Sequence, residues 1–91
     1  MRIRVKICGI TSIEDATASV MAGADALGFV IWGGSKRYLG PPSVKKIVEV
    51  LPPFVSTVGV FVNETEKSIM RTVKETSINT VQLHGEEKPS L

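Results

Sequence analysis

Ile3-Arg4-Val5-Lys6-Ile7-Cys8-Gly9 alternates apolar Ile3, Val5 and Ile7 with Arg4, Lys6 and Cys8, the two-residue period of a strand, and Gly9 breaks it. The period then changes. Thr11 and Ser12 offer N-cap hydroxyls, and Glu14 stands three residues after Thr11 as in a capping box. Ile13, Ala16 and Val20 form a helical stripe that ends at Gly23. This beginning therefore reads as strand, short loop and helix.

The same order repeats outward from it. Ala26 to Ile31 is an apolar run suited to a buried parallel strand, and the Gly-rich loop Trp32 to Gly40 follows. Pro41 and Pro42 open a second helix with Val44, Ile47, Val48 and Leu51 at i, i+3, i+4 and i+7, and Pro52 with Pro53 stop it. A third strand, Val55 to Val62, leads through Asn63 into a helix from about Thr65 to Glu75 carrying Ile69, Met70 and Val73. Thr80 to His84 reads as a fourth strand, and Glu86 with Glu87 after Gly85 look like a helix start, where negative charge is favourable.

Strand and helix alternating at a spacing of roughly 25 residues imply right-handed βαβ units and a parallel sheet, hence the α/β class. Arg4, Lys6 and Cys8 share one strand face, as do Gln82 and His84, while the opposite faces are aliphatic. One face therefore looks toward helices and the other toward a polar centre, as inside a barrel. An open doubly wound sheet is the weaker reading, because its central strands want both faces apolar. The expected architecture is a parallel α/β barrel-like sheet, with about four βα units in residues 1–91, a single domain.

Composition narrows the function. With 43% hydrophobic and 22% charged residues, the chain matches an ordinary soluble globular domain. A domain of 91 residues buries only about 60 to 65% of the surface its unfolded chain exposes, so its stability margin is thin. The net charge of +2 comes without a run of Lys or Arg, which argues against nucleic acid as a partner and leaves room for a small anionic substrate. No apolar stretch approaches the ~18 residues of a membrane span or follows a basic start like a signal peptide, so no membrane partner is expected. The single Cys cannot form an internal disulfide, which points to the reducing cytoplasm.

The motif Lys6-Ile7-Cys8-Gly9-Ile10-Thr11 at the end of the first strand resembles the signature of phosphoribosylanthranilate isomerases. It is joined in order by Gly23 to Phe29 (GADALGF), Ser35 to Tyr38 (SKRY), Val58 to Asn63 (VGVFVN) and Val81 to Glu87 (VQLHGEE), each at a strand end or in the loop after it. Together these cover essentially the whole chain. The resemblance implies a (β/α)₈ enzyme of tryptophan biosynthesis that performs an Amadori rearrangement with no cofactor or metal, and it makes residues 1–91 the first half of that parallel barrel, with the C-terminal half absent. N-(5-phosphoribosyl)anthranilate becomes 1-(o-carboxyphenylamino)-1-deoxyribulose 5-phosphate. A general acid protonates the furanose oxygen and opens the ring. A general base then removes the C2 proton of the Schiff base, and the enolamine tautomerises to the ketone. The family's base is the Cys of the first-strand motif, which falls on Cys8, and its acid is an Asp beyond the fourth strand, past the end of this chain.

Each candidate residue also has its own chemistry. A lone free Cys is more often a small buried hydrophobe than a catalyst. Cys8, however, ends a strand where barrel enzymes place their chemistry, and Gly9 after it lets a substrate approach the backbone. Only the thiolate of a cysteine is basic. Lys6, two residues back on the same face, either contributes positive charge there or lines the barrel and pairs with a carboxylate.

Arg37 resembles the family residue that binds the anthranilate carboxylate, and a guanidinium can grip a carboxylate with two parallel hydrogen bonds. Its alternative is a solvated loop cation, although Gly33 and Gly34 before it suggest a loop shaped to approach a ligand. Lys36 is expected on the surface, and Tyr38 in packing. His84 stands where the family has a substrate-contacting His, with Gln82 on the same face to orient it; its alternative is a hydrogen-bonded structural residue, the commoner role of a lone His. Asn63 is expected to initiate a turn. No cluster of metal ligands stands out.

A complete barrel of this class usually needs ~250 residues, and its phosphate site commonly comes from the loops after strands 7 and 8. The chain thus has partners for the anthranilate end of the phosphosugar-anthranilate substrate and none for the phosphate end, and alone it is expected to be inactive. The rival reading is a non-catalytic truncated fragment, or a half-barrel needing a partner half, prone to self-association through its exposed edges. A different phosphate-binding barrel is the third reading, and the Cys after the first strand and the Ser-Lys-Arg loop argue against it.

Overall fold

The computed structural model describes residues 4–84, so Ile3 and the helix start expected at Glu86 and Glu87 lie outside the described residues. Seven elements alternate: β1 (Lys6–Cys8), α1 (Ile13–Met21), β2 (Ala26–Val30), α2 (Pro41–Val50), β3 (Ser56–Val62), α3 (Glu66–Thr76) and β4 (Thr80–His84). The strands form one parallel sheet in chain order, β1-β2-β3-β4. Three successive crossovers of one hand, with no reversal of strand order, put the helices on one face of the sheet. The doubly wound alternative requires such a reversal.

The register sorts the side chains into two layers. Leu27 and Phe29 of β2, with Thr57 and Phe61 of β3, point to the helices and are buried there. They pack with Ala16 of α1, Val44 and Ile47 of α2, and Ile78 before β4 in one apolar cluster. On the other face, Lys6 and Cys8 stand level with Ala26 and Gly28, and Gly28 with Val58. Gln82 and His84 stand level with Val60 and Val62. Val58 and Val60 are buried yet belong to no part of the helix-side cluster, as expected for the concave inner wall of a barrel. The expected polar centre is therefore confined to the edge strands β1 and β4, because the inner face of β2 and β3 is mostly small or aliphatic.

Helix boundaries follow local chemistry with two corrections. The N-cap of α1 is Ser12, whose Oγ accepts from the Asp15 N–H at 3.0 Å, and the expected Thr11–Glu14 box does not form. The reason is tertiary: Gly9 and Ile10 both donate to the Gly28 carbonyl, and the chain stays extended through Ser12 (φ −148°, ψ 161°) before it coils. Ile13 then lies at the first turn, 43% exposed, while Ala16 is fully buried. Pro41 and Pro42 open α2 where no amide partner is needed, and Val44 and Ile47 face the core as the stripe predicts.

The second correction concerns α3. Thr72 and Thr76 face inward while Met70 is 54% exposed. Thr76 tolerates burial because its hydroxyl donates to the Thr72 carbonyl at 2.8 Å. Thr65 caps this helix by accepting from the Ser68 N–H at 3.1 Å. Removing that acceptor by Thr65→Ala, in a full-length barrel carrying this chain, is expected to lower stability by about 1 kcal/mol, read as a lower urea midpoint at unchanged m-value.

The outer faces of the two edge strands remain open. Val5 and Ile7 at β1 are 44% and 39% exposed, and Val81 and Leu83 of β4 are 41% and 70% exposed. In a closed barrel, further helices and strands cover these positions.

Candidate active site

The carboxyl ends of β1 and β2 and the loops after them bring two of the candidate residues, Cys8 and Arg37, together. Cys8 is the last residue of β1, and its thiol is exposed on the inner face opposite Gly28. Gly9 follows in the left-handed region (φ +83°), which turns the chain off the strand, and its N–H is held at 3.0 Å by the Gly28 carbonyl.

Arg37 reaches this corner from the loop after β2. That loop is folded on itself, with the Ser35 N–H donating to the Trp32 carbonyl at 3.1 Å and the Arg37 N–H to Ser35 Oγ at 3.0 Å. Parallel bridging of Val30 with Tyr38 fastens its far end to β2. The Arg37 stem then lies across Gly9: a Cβ on that glycine would come within 2.6 Å of Arg37 Cδ, and Nη1 approaches the Gly9 carbonyl at 3.5 Å. The open side of Gly9, expected to admit substrate, is thus occupied by Arg37. Gly9→Ala forces an L-residue into left-handed geometry, which costs about 1–2 kcal/mol, and drives a methyl into the stem. Its expected result in a full-length barrel is a lower thermal midpoint together with a raised KM.

On the other side of the inner face, Lys6 Nζ donates to Gln82 Oε1 at 2.5 Å. The pair spans β1 to β4, three strand spacings or ~14 Å in a flat sheet, and Gln82 lies further along its strand than the residue level with Lys6. Only a sheet curled toward a barrel brings the two side chains within reach. The described partner of Lys6 is thus the Gln82 amide, where the wall-lining reading of Lys6 had named a carboxylate, and the Gln82 amide oxygen is turned to Lys6. His84 closes β4 with an exposed ring, level with Val62. Asn63 adopts φ +50°, in accord with the turn expected there. Tyr38 is 45% exposed, so it contributes through its backbone pairing with Val30 more than through packing. Lys36 is on the surface.

A cleft of ≈ 290 Å³ opens beside this corner between β1 and α1, lined by Ile7, Ala18 and Ser19 on the helix side and reaching Cys8, Gly9 and Arg37. A larger one of ≈ 620 Å³ runs along α3 between Glu66, Lys67, Met70, Arg71 and Lys74. It is the uncovered flank of one helix, lined by residues of α3 alone. Among the described residues, no three His, Cys, Asp or Glu side chains group to hold a metal, and no helix is long and apolar enough to cross a membrane. Gly28 is the site residue that sequence reading overlooked, although a glycine within an apolar strand signals close approach of another group.

The family model of N-(5'-phosphoribosyl)anthranilate (PRA) isomerase matches residues 5–91. The chain belongs to the PRA isomerase family. The isomerase of Thermotoga maritima is 55% identical over 85 residues, 93% of this chain and 42% of that protein. The crystal structure of phosphoribosyl anthranilate isomerase from the same organism superposes with a TM-score of 0.92 at 53% identity, covering 98% of this chain and 43% of that one. A PRA isomerase in complex with reduced 1-(o-carboxyphenylamino)-1-deoxyribulose 5-phosphate superposes with a TM-score of 0.91 at 53% identity, covering 98% of this chain and 46% of that one. The chain thus spans less than half the length of these PRA isomerases, and its sheet is the first half of their (β/α)₈ barrel.

Proposed function

We propose that this chain is the base-bearing half of a PRA isomerase, acting on N-(5-phosphoribosyl)anthranilate to form 1-(o-carboxyphenylamino)-1-deoxyribulose 5-phosphate in tryptophan biosynthesis. Residues 1–91 then form one domain-half, completed by a C-terminal half that brings the general acid and the phosphate site. The observation that carries the reading is the seating of Arg37 on Gly9, directly beside Cys8. In the substrate, only the ortho edge of the aromatic ring, the amine nitrogen and C1 separate the anthranilate carboxylate from the C2–H bond to be broken. A cation for the first and a base for the second must therefore sit side by side.

In this reading the Cys8 thiolate takes the C2 proton of the ring-opened Schiff base. The C2–H electron pair becomes the C1–C2 double bond, and the imine pair returns to nitrogen. The enolamine then loses its hydroxyl proton and gains one at C1. Arg37 holds the carboxylate, a planar fork suited to bidentate contact. His84 contacts substrate from the end of β4, and Lys6 with Gln82 lines the wall beneath. The chemistry needs no cofactor or metal, and the cytoplasm is the compartment it implies.

The second reading, a half-barrel that needs another half before it can act, is favoured by the exposed Val5, Ile7, Val81 and Leu83 on the edge strands. The same residues offer a surface for self-association. One assay separates the readings: the loss of phosphoribosylanthranilate fluorescence with the purified 91-residue chain, beside the same chain extended to full barrel length. Turnover by the extended form alone is the expected result. Turnover by neither would remove the isomerase assignment.

A further inference from the structure

Gly28 faces the inner wall on β2, level with Cys8 and adjacent to it in the sheet. A Cβ built on it would lie 3.0 Å from Cys8 Sγ, 3.3 Å from Cys8 Cα and 3.4 Å from Cys8 Cβ. Contacts that short are inside ordinary van der Waals separation, so even one methyl would push the sulfur off its present position. Gly28 lies in regular strand geometry and outside the left-handed region, so backbone conformation does not call for glycine there. Its carbonyl also accepts from both Gly9 and Ile10 at 3.0 Å, which anchors the turn on which Cys8 sits. The feature that demands glycine at position 28 is therefore the cysteine across from it.

We propose that Gly28 is a positioning residue for the isomerisation: its missing side chain is the seat in which the Cys8 thiol rests against β2, and that seat sets where the sulfur points into the barrel. The inference builds on Cys8 being the base. Proton transfer needs donor carbon and acceptor sulfur aligned within a few tenths of an ångström, and a misplacement of about 1 Å costs ~100-fold in rate. A displacement forced by one methyl group should then lower kcat about tenfold.

The test uses a full-length barrel carrying this chain, with Gly28→Ala, Cys8→Ser and the double variant. The expected results are a kcat about tenfold lower in Gly28→Ala with KM little changed, and an altered rate of Cys8 alkylation by iodoacetamide, a readout independent of turnover. In the Cys8→Ser background, Gly28→Ala should lower kcat no further, since there is no thiolate left to misplace. An unchanged alkylation rate and kcat in Gly28→Ala, with Cys8→Ser inactive, would overturn the role of Gly28 while leaving Cys8 as the base. A fully active Cys8→Ser would instead overturn the base assignment on which the inference rests. Should Gly28→Ala fail to fold, Cys8→Gly/Gly28→Ala decides: recovery of the native circular dichroism spectrum supports a seat built for the cysteine side chain, and continued misfolding overturns it.

Discussion

Replacing Cys8 by serine in a full-length barrel carrying this chain is expected to lower kcat by roughly 10²- to 10⁴-fold, the contribution typical of a positioned general base. Serine keeps the shape of the side chain, so it should still fit against Gly28 without disturbing β1. What changes is proton affinity and availability, because a hydroxyl at neutral pH offers almost no anion and a thiol offers some. Since the base acts on a C–H bond only as the transition state forms, KM should move by no more than about twofold. Steady-state kinetics with the substrate generated in situ check this, and turnover near that of the parent would sink the assignment of Cys8.

Arg37→Ala should act on the other parameter. A guanidinium that pairs with the anthranilate carboxylate binds ground state and transition state alike, so its loss appears mainly in KM. A hydrogen bond to a charged group contributes about 1.5–3 kcal/mol, which corresponds to a KM raised roughly 10- to 100-fold. Arg37→Lys should recover only part of this, because an ammonium keeps the charge and loses the planar fork. The seat on Gly9 makes the prediction specific, since the stem is held by packing and its head by the corner beside Cys8. An unchanged KM in Arg37→Ala would remove Arg37 from the site.

The two variants separate chemistry from binding, and together they test whether the corner at Gly9 joins both. Loss of kcat in one and of affinity in the other would match a base and a carboxylate clamp working on the same molecule. If both lost kcat alone, Arg37 would act on the reacting centre and not on the carboxylate.

Some of this was readable from residue order alone, because it depends on local chemistry. Strand alternation, an apolar run at Ala26 to Ile31, helical periods and turn residues located all seven elements, and Thr80–His84 appears with the bounds expected. Pro41 with Pro42 and Pro52 with Pro53 bracket α2 through backbone sterics that no distant contact alters. The motif around Cys8 and the Ser-Lys-Arg loop pointed to the PRA isomerase family before any geometry was known, since motif residues are recognised by order and spacing.

Other features needed the folded chain. Periodicity placed Met70 in the apolar stripe of α3, but the buried face is that of Thr72 and Thr76, and a hydroxyl that bonds its own helix can be buried there. Of the two candidate caps, Thr11 and Ser12, it is Ser12 that serves, with Gly9 and Ile10 tied to Gly28 on the neighbouring strand. The partner of Lys6 lies 76 residues away and comes into reach only through the curl of the sheet.

Taken by itself, the order of residues determined the alternation of strands and helices and the family, and singled out Cys8 and Arg37 as candidates, because those depend on neighbours within one turn or one motif. Tertiary structure decided that Arg37 rests on Gly9, that Gly28 makes room for Cys8, and that the edge strands stay uncovered. Each of these is set by register and curvature between segments far apart in the chain, which no local pattern encodes.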